Sequence, residues 1–322
     1  MIASFPLRAA LRVVVGITGL LAWGSLGWAG AVVGWIAGSA LRIRRAAVVS
    51  ALKRASIGDA EGEARAMYAG LGAGLLELLW LGGAPPARRT EILREHVILD
   101  ADLDEAMRAA SARGPLVLAA SHTANWELVA YGAARVLAER GQRLAVVVKP
   151  VSVGVFHAFC TNLRRACGLE LIAPEGALRT ARQLLLAGDV VAMPIDQVPD
   201  RAQHGVTVSF LGAPALADRA PAVLARSVGA TLIVVGATRD GRIQRAHLLA
   251  ELAPPVREAS RRSPIDPSPW IGEATREATG ALETFVRKNP SSWLWLHRRW
   301  RAPLELRAKA RAAPLVATGY PG

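Results

Sequence analysis

The chain has 322 residues, enough for one full catalytic domain with an appended segment. Lysine and arginine outnumber aspartate and glutamate by 39 to 26, a formal charge of +13, and 52% of residues are hydrophobic. No nucleic-acid motif accompanies that charge, and the aromatics are mostly tryptophans near apolar runs, so an anionic membrane surface and phosphorylated ligands replace nucleic acid as the expected partners.

From the N-terminus, Val13 to Leu41 is a run of 29 positions without a charge, longer than the ~20 a helix needs to cross a bilayer. Arg8 and Arg12 precede it, and the denser set Arg42, Arg44, Arg45, Lys53 and Arg54 follows, which predicts a cytoplasmic location for the rest of the chain. Ala29-Gly30-Ala31 has the small residues of a cleavage site, but the apolar run continues past it, so an uncleaved anchor is expected. Gly30, Gly34 and Gly38 form a stripe that permits close helix approach, either in self-association or against the protein's own domain. Seven glycines in the run leave a bent or shallowly inserted helix open. The division expected is an anchor over 1–45, a catalytic domain over 46–300, and an Ala/Pro-rich, disordered tail over 301–322.

Arg42 to Gly82 has helical spacing (Ala46, Val49, Leu52, then Met67, Leu71, Leu75, Leu76, Leu79), interrupted at Ile57-Gly58-Asp59 with Asp59 as the second N-cap. Ala84-Pro85-Pro86 is a turn, Val97–Leu99 a short strand, and Ala101–Arg113 a helix. The apolar run Pro115–Ala120 then leads into Ser121-His122-Thr123-Ala124-Asn125-Trp126-Glu127, and a helical pattern continues to Glu139. A histidine at such a strand-turn-helix join lies beyond the carboxyl end of a strand, where open α/β sheets bind ligands. On one ideal helix His122 and Glu127 would point ~140° apart, so they meet only with the histidine in the turn and the glutamate one turn into the helix. A neutral imidazole suits proton removal from an alcohol at neutral pH, and a carboxylate on its other nitrogen fixes the tautomer. Ser121 lacks the G-x-S-x-G elbow of a nucleophile, so the substrate is expected to bring its own hydroxyl to a direct acyl transfer. On spacing alone, a histidine that merely hydrogen-bonds at a helix start is the commoner occurrence.

Leu144–Val148 is a β-branched strand ending at Lys149-Pro150, and a helix from Val155 to Cys167 carries Arg164 and Arg165. Cys160 and Cys167 lie on adjacent turns there and are expected to be reduced core residues of a cytosolic domain, since two thiols make no metal site. Pro174-Glu175-Gly176 opens a helix over Ala177–Leu186. Asp189–Ile195 is a strand that ends in Asp196-Gln197, which brings a carboxylate beside the histidine strand. Val206–Gly212 and Thr231–Val235 are further strands, with a helix over Ala220–Ser227 between them. The segment from Arg257 to Pro269 is a surface loop, and Ile271–Lys288 is amphipathic helix. Trp293-Leu294-Trp295-Leu296-His297-Arg298-Arg299-Trp300 combines indole rings with cations suited to phosphates, or is simply a packing strand with a basic end. The alternation predicts an α/β domain with a mixed central sheet and helices on both faces, joined to an N-terminal membrane-anchoring helix.

The Ser-His-Thr-Ala-Asn-Trp-Glu stretch resembles the H-x-x-N-W-E signature of the bacterial lipid A biosynthesis (late) acyltransferases, within the lysophospholipid acyltransferase-like superfamily and its H-x4-D/E motif. Asp196-Gln197 resembles that family's D-Q or D-H pair, and Trp293–Trp300 its W-x-W-x-H-R-R-W/F closing motif. The resemblance implies a membrane-bound enzyme that moves a fatty acyl chain from an acyl carrier protein or coenzyme A thioester to a hydroxyl of a lipid A precursor or related glycolipid, with no cofactor and no metal. It implies His122 as general base oriented by Glu127, with Asn125, Trp126, Lys149, Arg164, Asp196, Gln197, His297, Arg298 and Arg299 at the substrates. Lys149 stands where the family often has arginine, keeping the charge but not the bidentate geometry. Glu77 is a possible match to a family glutamate, or a solvated helix carboxylate. The segment Val206–Gly212 is expected to border the acyl channel. Phosphatidylinositol mannoside or another amphiphile is the alternative acceptor, and a hydrolase or a catalytically silent glycolipid-binding membrane protein the alternative function.

Overall fold

The computed structural model describes residues 4–148, 154–255 and 269–302. In chain order its helices are α1 (Ser4–Gly19), α2 (Leu26–Trp35), α3 (Arg45–Arg54), α4 (Ala60–Gly83), α5 (Pro86–His96), α6 (Ala101–Arg113), α7 (Trp126–Ala138), α8 (Gly154–Ala166), α9 (Ala177–Leu186), α10 (Ala220–Val228) and α11 (Pro269–Lys288). The strands are β1 (Val97–Leu99), β2 (Leu116–Ala120), β3 (Leu144–Val147), β4 (Leu169–Ile172), β5 (Val190–Pro194), β6 (Gly205–Phe210), β7 (Ala213–Asp218), β8 (Thr231–Asp240) and β9 (Ile243–Leu252).

Seven strands form one sheet in the order β1-β9-β8-β2-β5-β3-β4. All neighbours are parallel except β8 and β9, which form an antiparallel hairpin, so the sheet is mixed. Strand β2 lies in the middle and explains its own sequence: a strand covered on both faces needs an unbroken apolar run rather than an alternating one. Val117 and Ala119 join the core that also contains α3, α10 and α11, while Leu116 and Leu118 join the opposite core with α5, α6 and α7, as the period of two requires. Strands β6 and β7 form a separate hairpin. Its turn residues Leu211 and Gly212 both have positive φ, 50° and 77°, the backbone twist that two-residue hairpin turns prefer.

The expected mixed α/β architecture is therefore the one observed, and α9 does begin just after Pro174-Glu175-Gly176. The interruption before α4 is also present, with the Asp59 carboxylate accepting from the Gly62 amide at 2.8 Å. Residues 257–268 of the expected surface loop, and the tail from 303, lie outside the described residues.

The uncharged N-terminal run departs from a single straight helix. It divides at Leu20–Ala22, and the chain direction turns there by 104°. The reason is Trp23, whose buried ring packs edge-on against Trp80 of α4 at 5.1 Å and stacks on His96 at 5.4 Å. The Trp80 indole also donates to the Leu21 carbonyl at 3.1 Å, which ties the bend to α4. The glycine stripe packs onto the protein's own domain: a Cβ on Gly30 would come within 2.2 Å of Ala73 Cα, and one on Gly34 within 2.1 Å of the Tyr68 carbonyl oxygen. Among the described helices α4 alone is long and apolar enough by itself to cross a membrane, although Gly72, Ala73, Glu77 and Leu79 on it are buried inside the protein.

Candidate active site

Register assembles the site. Strands β2 and β5 run parallel with Ala120 opposite Pro194. His122 and Asp196 each follow two residues beyond that pair, so they emerge side by side at the carboxyl end of the sheet. The Asp196 Oδ1 lies 2.8 Å from His122 Nδ1, while Oδ2 accepts from the His122 backbone N–H at 2.8 Å. The Trp293 indole N–H donates to the same Oδ2 at 3.0 Å. Asp196 is wholly inaccessible to solvent. Burial by itself would raise its pKa, but the adjacent His122 charge and hydrogen bonds hold it far below the ordinary carboxylate range.

The turn carrying His122 is gripped from several sides. The Leu294 amide donates to the His122 carbonyl at 3.0 Å, and the Ala124 amide to the Ser292 carbonyl at 2.7 Å. Thr123 Oγ1 accepts from the Ala237 amide of β8 at 2.8 Å. Ala124 has φ 49°, a left-handed conformation that costs a non-glycine residue energy and is kept by this surrounding network. Asn125 caps α7 by accepting from the Leu128 amide at 3.3 Å, and its side-chain amide donates to buried Glu77 at 2.7 Å. Both Glu77 oxygens are also held by Arg239 of β8, each at 2.7 Å. Glu77 is thus no solvated helix carboxylate but the anchor of the α7 cap.

The carboxylate on the imidazole is Asp196, which corrects the expected pairing of His122 with Glu127. Glu127 is indeed one turn into α7, but it meets α8: Arg164 Nε donates to Oε2 at 2.9 Å, Arg164 Nη2 to Oε1, and the Tyr131 hydroxyl to Oε2 at 3.0 Å. Burial opposes the charge on Arg164, but these bonds to Glu127 more than compensate and raise its pKa. Arg164 is therefore neutralised by a protein carboxylate, which removes the simple picture of a free cation for substrate. Buried beside Glu127, the Tyr131 hydroxyl is pushed well above its usual range and Cys160 up to about 11, so neither is ionised at neutral pH.

Trp126 stands edge-on to His122 with ring centres 5.0 Å apart, and His297 does the same at 4.5 Å. Desolvation lowers the pKa of His297 to about 4 despite the Asp196 charge, so it is neutral at pH 7. Desolvation also works against a charge on His122, yet the Asp196 charge and hydrogen bond, with a smaller pull from Glu127, leave its pKa above the ordinary value. Arg298 is exposed. Arg299 is not: it is 1% accessible, donates to the Leu216 carbonyl at 2.7 Å and lies over the Phe210 ring at 5.1 Å, a packing role in place of the expected substrate contact. Lys149 lies outside the described residues. Sequence reasoning missed Arg239, Tyr131 and Thr123 as partners of the site: Arg239 is 162 positions from Glu77, whereas Tyr131 stands one helical turn after Glu127 and Thr123 lies in the histidine turn itself. Trp293 was legible only as a ring within the closing motif.

Beside the imidazole lies a cavity of about 760 Å³ between α2, α4, α7, α8 and the end of β3. Leu71, Leu75, Leu78, Val147 and Phe156 give it apolar walls, and His122, Glu127, Arg164 and Gln197 supply polar lining. None of Val206–Gly212 is among its lining residues. Among the described residues, one group could hold a metal: His122, Asp196 and His297 bring a donor atom each within 4.8 Å of one another. Two of those donors are already joined in the His122–Asp196 hydrogen bond.

A histidine and carboxylate at the end of a parallel strand, beside an apolar cavity, are what acyl transfer requires. The model of the bacterial lipid A biosynthesis acyltransferase family matches residues 31–302. The chain belongs to that family. It is an acyltransferase of the lipid A and glycolipid type, associated with a membrane. No curated protein matches the chain at a significant level.

Proposed function

We propose that the enzyme moves a fatty acyl chain from an acyl carrier protein or coenzyme A thioester to a hydroxyl of a lipid A precursor or related glycolipid, on the cytoplasmic face of the inner membrane. The observation that carries the reading is the double grip of Asp196 on His122 beside the apolar cavity. With Nδ1 donating its proton to Asp196, His122 Nε2 keeps its lone pair for the acceptor hydroxyl. As Nε2 takes that proton, the hydroxyl oxygen attacks the thioester carbonyl, and the buried carboxylate stabilises the imidazolium. The tetrahedral intermediate then expels the thiolate, which recovers the proton from Nε2. Glu127 acts at one remove: its pairing with Arg164 and Tyr131 fixes α8 against α7 and its charge supports the imidazolium. Trp126, Gln197 and His297 border the reacting groups, Asn125 holds the turn, and exposed Arg298 is left for anionic donor or acceptor groups, the role the family motif also gives to Lys149.

The test is lipid mass spectrometry on membranes supplied with each thioester, comparing the wild type with His122→Ala. One glycolipid gaining an acyl mass only with the wild type supports the reading and names the acceptor. Identical lipid profiles overturn it for those substrates, and free fatty acid without ester identifies a hydrolase.

A further inference from the structure

Three donor groups converge behind the catalytic base. His122, Asp196 and His297 each bring a ligand atom within 4.8 Å of the others. They come from the turn after β2, the end of β5 and the closing segment, so no local spacing announces them. Asp196 Oδ1 lies 2.8 Å from His122 Nδ1, and Oδ2 lies 4.0 Å from His297 Nδ1. A tetrahedral zinc ion with ligands at ~2.0–2.1 Å separates neighbouring donors by ~3.3 Å. The two observed distances bracket that value, so side-chain shifts under ~1 Å bring both pairs to it. The imidazole rings cross at 64° with centres 4.5 Å apart, near the ~5 Å of two histidines on one tetrahedral ion.

Two features distinguish the group from a chance cluster. His297 Nδ1 is buried and has no hydrogen-bond partner, although it faces a carboxylate. A buried nitrogen left in that state is costly unless something binds it. Asp196 is wholly inaccessible to solvent, and among the described residues no guanidinium is bonded to it. Arg164 is occupied by Glu127, and Arg299 by the Leu216 carbonyl and the Phe210 ring. Buried charges are normally paired or coordinate a metal. The Trp293 indole and the His122 amide already orient Oδ2, the kind of outer hydrogen bond that fixes a metal ligand. Both histidines line the large cavity, which gives an ion a route in and leaves it a fourth position.

We propose that His122, Asp196 and His297 bind a single Zn²⁺ ion, and that this ion switches the enzyme off. Imidazoles and a carboxylate are usual zinc ligands, and the filled d shell imposes no geometry of its own. The ion takes the Nδ1 lone pair of His122 and replaces the Nδ1–H bond to Asp196. The proton that Nδ1 held moves to Nε2, so a neutral ring loses no net proton. Nε2 then has no lone pair for an acceptor hydroxyl. The site stands without the acyl-transfer chemistry, whereas the inhibition rests on the reading of His122 as the base.

Tag-free full-length protein in detergent is titrated with Co²⁺, whose visible absorption reports tetrahedral coordination, and then with Zn²⁺. One Co²⁺ per chain, displaced by Zn²⁺, is expected. His297→Gln should weaken binding by more than ~100-fold, while the same change at exposed His204 leaves it unaltered. Trp293→Phe keeps all three ligands and removes only the bond to Asp196, for a loss of ~10–100-fold. No absorption band in the wild type, as a water bridging His297 to Asp196 predicts, overturns the site. So does a band that His297→Gln and Trp293→Phe leave intact. With a thioester and acceptor that turn over, Zn²⁺ should lower the rate in step with occupancy, and a chelator should restore it. Full turnover by the zinc-bound protein overturns the switch. Absence of turnover on every substrate counts against the acyl-transfer reading alone, and the cobalt band still decides the site.

Discussion

Two carboxylates lie near His122 and do different work. Asp196 is inaccessible to solvent, has no arginine on it, and directs both oxygens at the histidine turn and the Trp293 indole. Glu127 is nearly as buried but is saturated by Arg164 and Tyr131. A carboxylate paired with a guanidinium keeps less of its field for an imidazolium, whereas Asp196, hydrogen-bonded to the imidazole and to no guanidinium, is its larger source of support. The partner, more than the distance along the chain, decides which acid tunes the base.

Substitutions that part these two residues have ordered effects. His122→Ala removes the base and is expected to lower kcat/KM by ~10²–10⁴-fold or more, measured with a defined thioester and acceptor. Asp196→Asn should come next in rate, and it carries a signature that a folding defect would not. Activity needs neutral His122, so in the wild type it falls as pH drops through a value above that of an ordinary imidazole. Without the Asp196 charge, burial is opposed only by the smaller pull of Glu127 and the imidazole pKa falls, so the residual activity of Asp196→Asn keeps its plateau to lower pH. An acid limb that stays in place would return the orienting role to Glu127.

Glu127→Gln should show more in stability than in the position of that limb. It leaves a buried guanidinium unpaired, which costs ~3–5 kcal/mol in denaturant unfolding. The double variant Glu127→Met/Arg164→Met is expected to recover much of that loss, since it removes both charges. If Glu127→Gln instead moves the acid limb as far as Asp196→Asn does, the two carboxylates share the role. The smallest effect is expected at the Asn125 cap: Glu77→Gln keeps a hydrogen-bond partner but weakens the Arg239 pair, for a rate loss of about tenfold from a misplaced turn.

Much of this architecture is written locally. The unbroken apolar run of β2, the Asn125 cap and the His122 turn are short-range features, and a strand-turn-helix join follows from them without any distant contact. The candidate residues His122, Asp196 and His297 were likewise visible, the first from its turn and the other two through resemblance to family motifs. Pairing was not visible. Nothing within H-x4-E says that the glutamate faces α8, because that depends on where Arg164 arrives 37 residues later. The same holds for Arg299, whose motif suggested phosphate but whose side chain is packed over Phe210.

The N-terminal run makes the division plain. Composition determined that residues 13–41 carry no charge and can enter a membrane, and the glycine stripe determined that something packs closely there. That the partner is α4, that the run turns by 104°, and that Trp23 holds the turn were decided by tertiary contacts with residues 34 to 73 positions away. The reason is physical: periodicity and capping act over one or two turns of chain, whereas the partner of a buried charge or a close-packed glycine is whichever element the sheet register brings beside it.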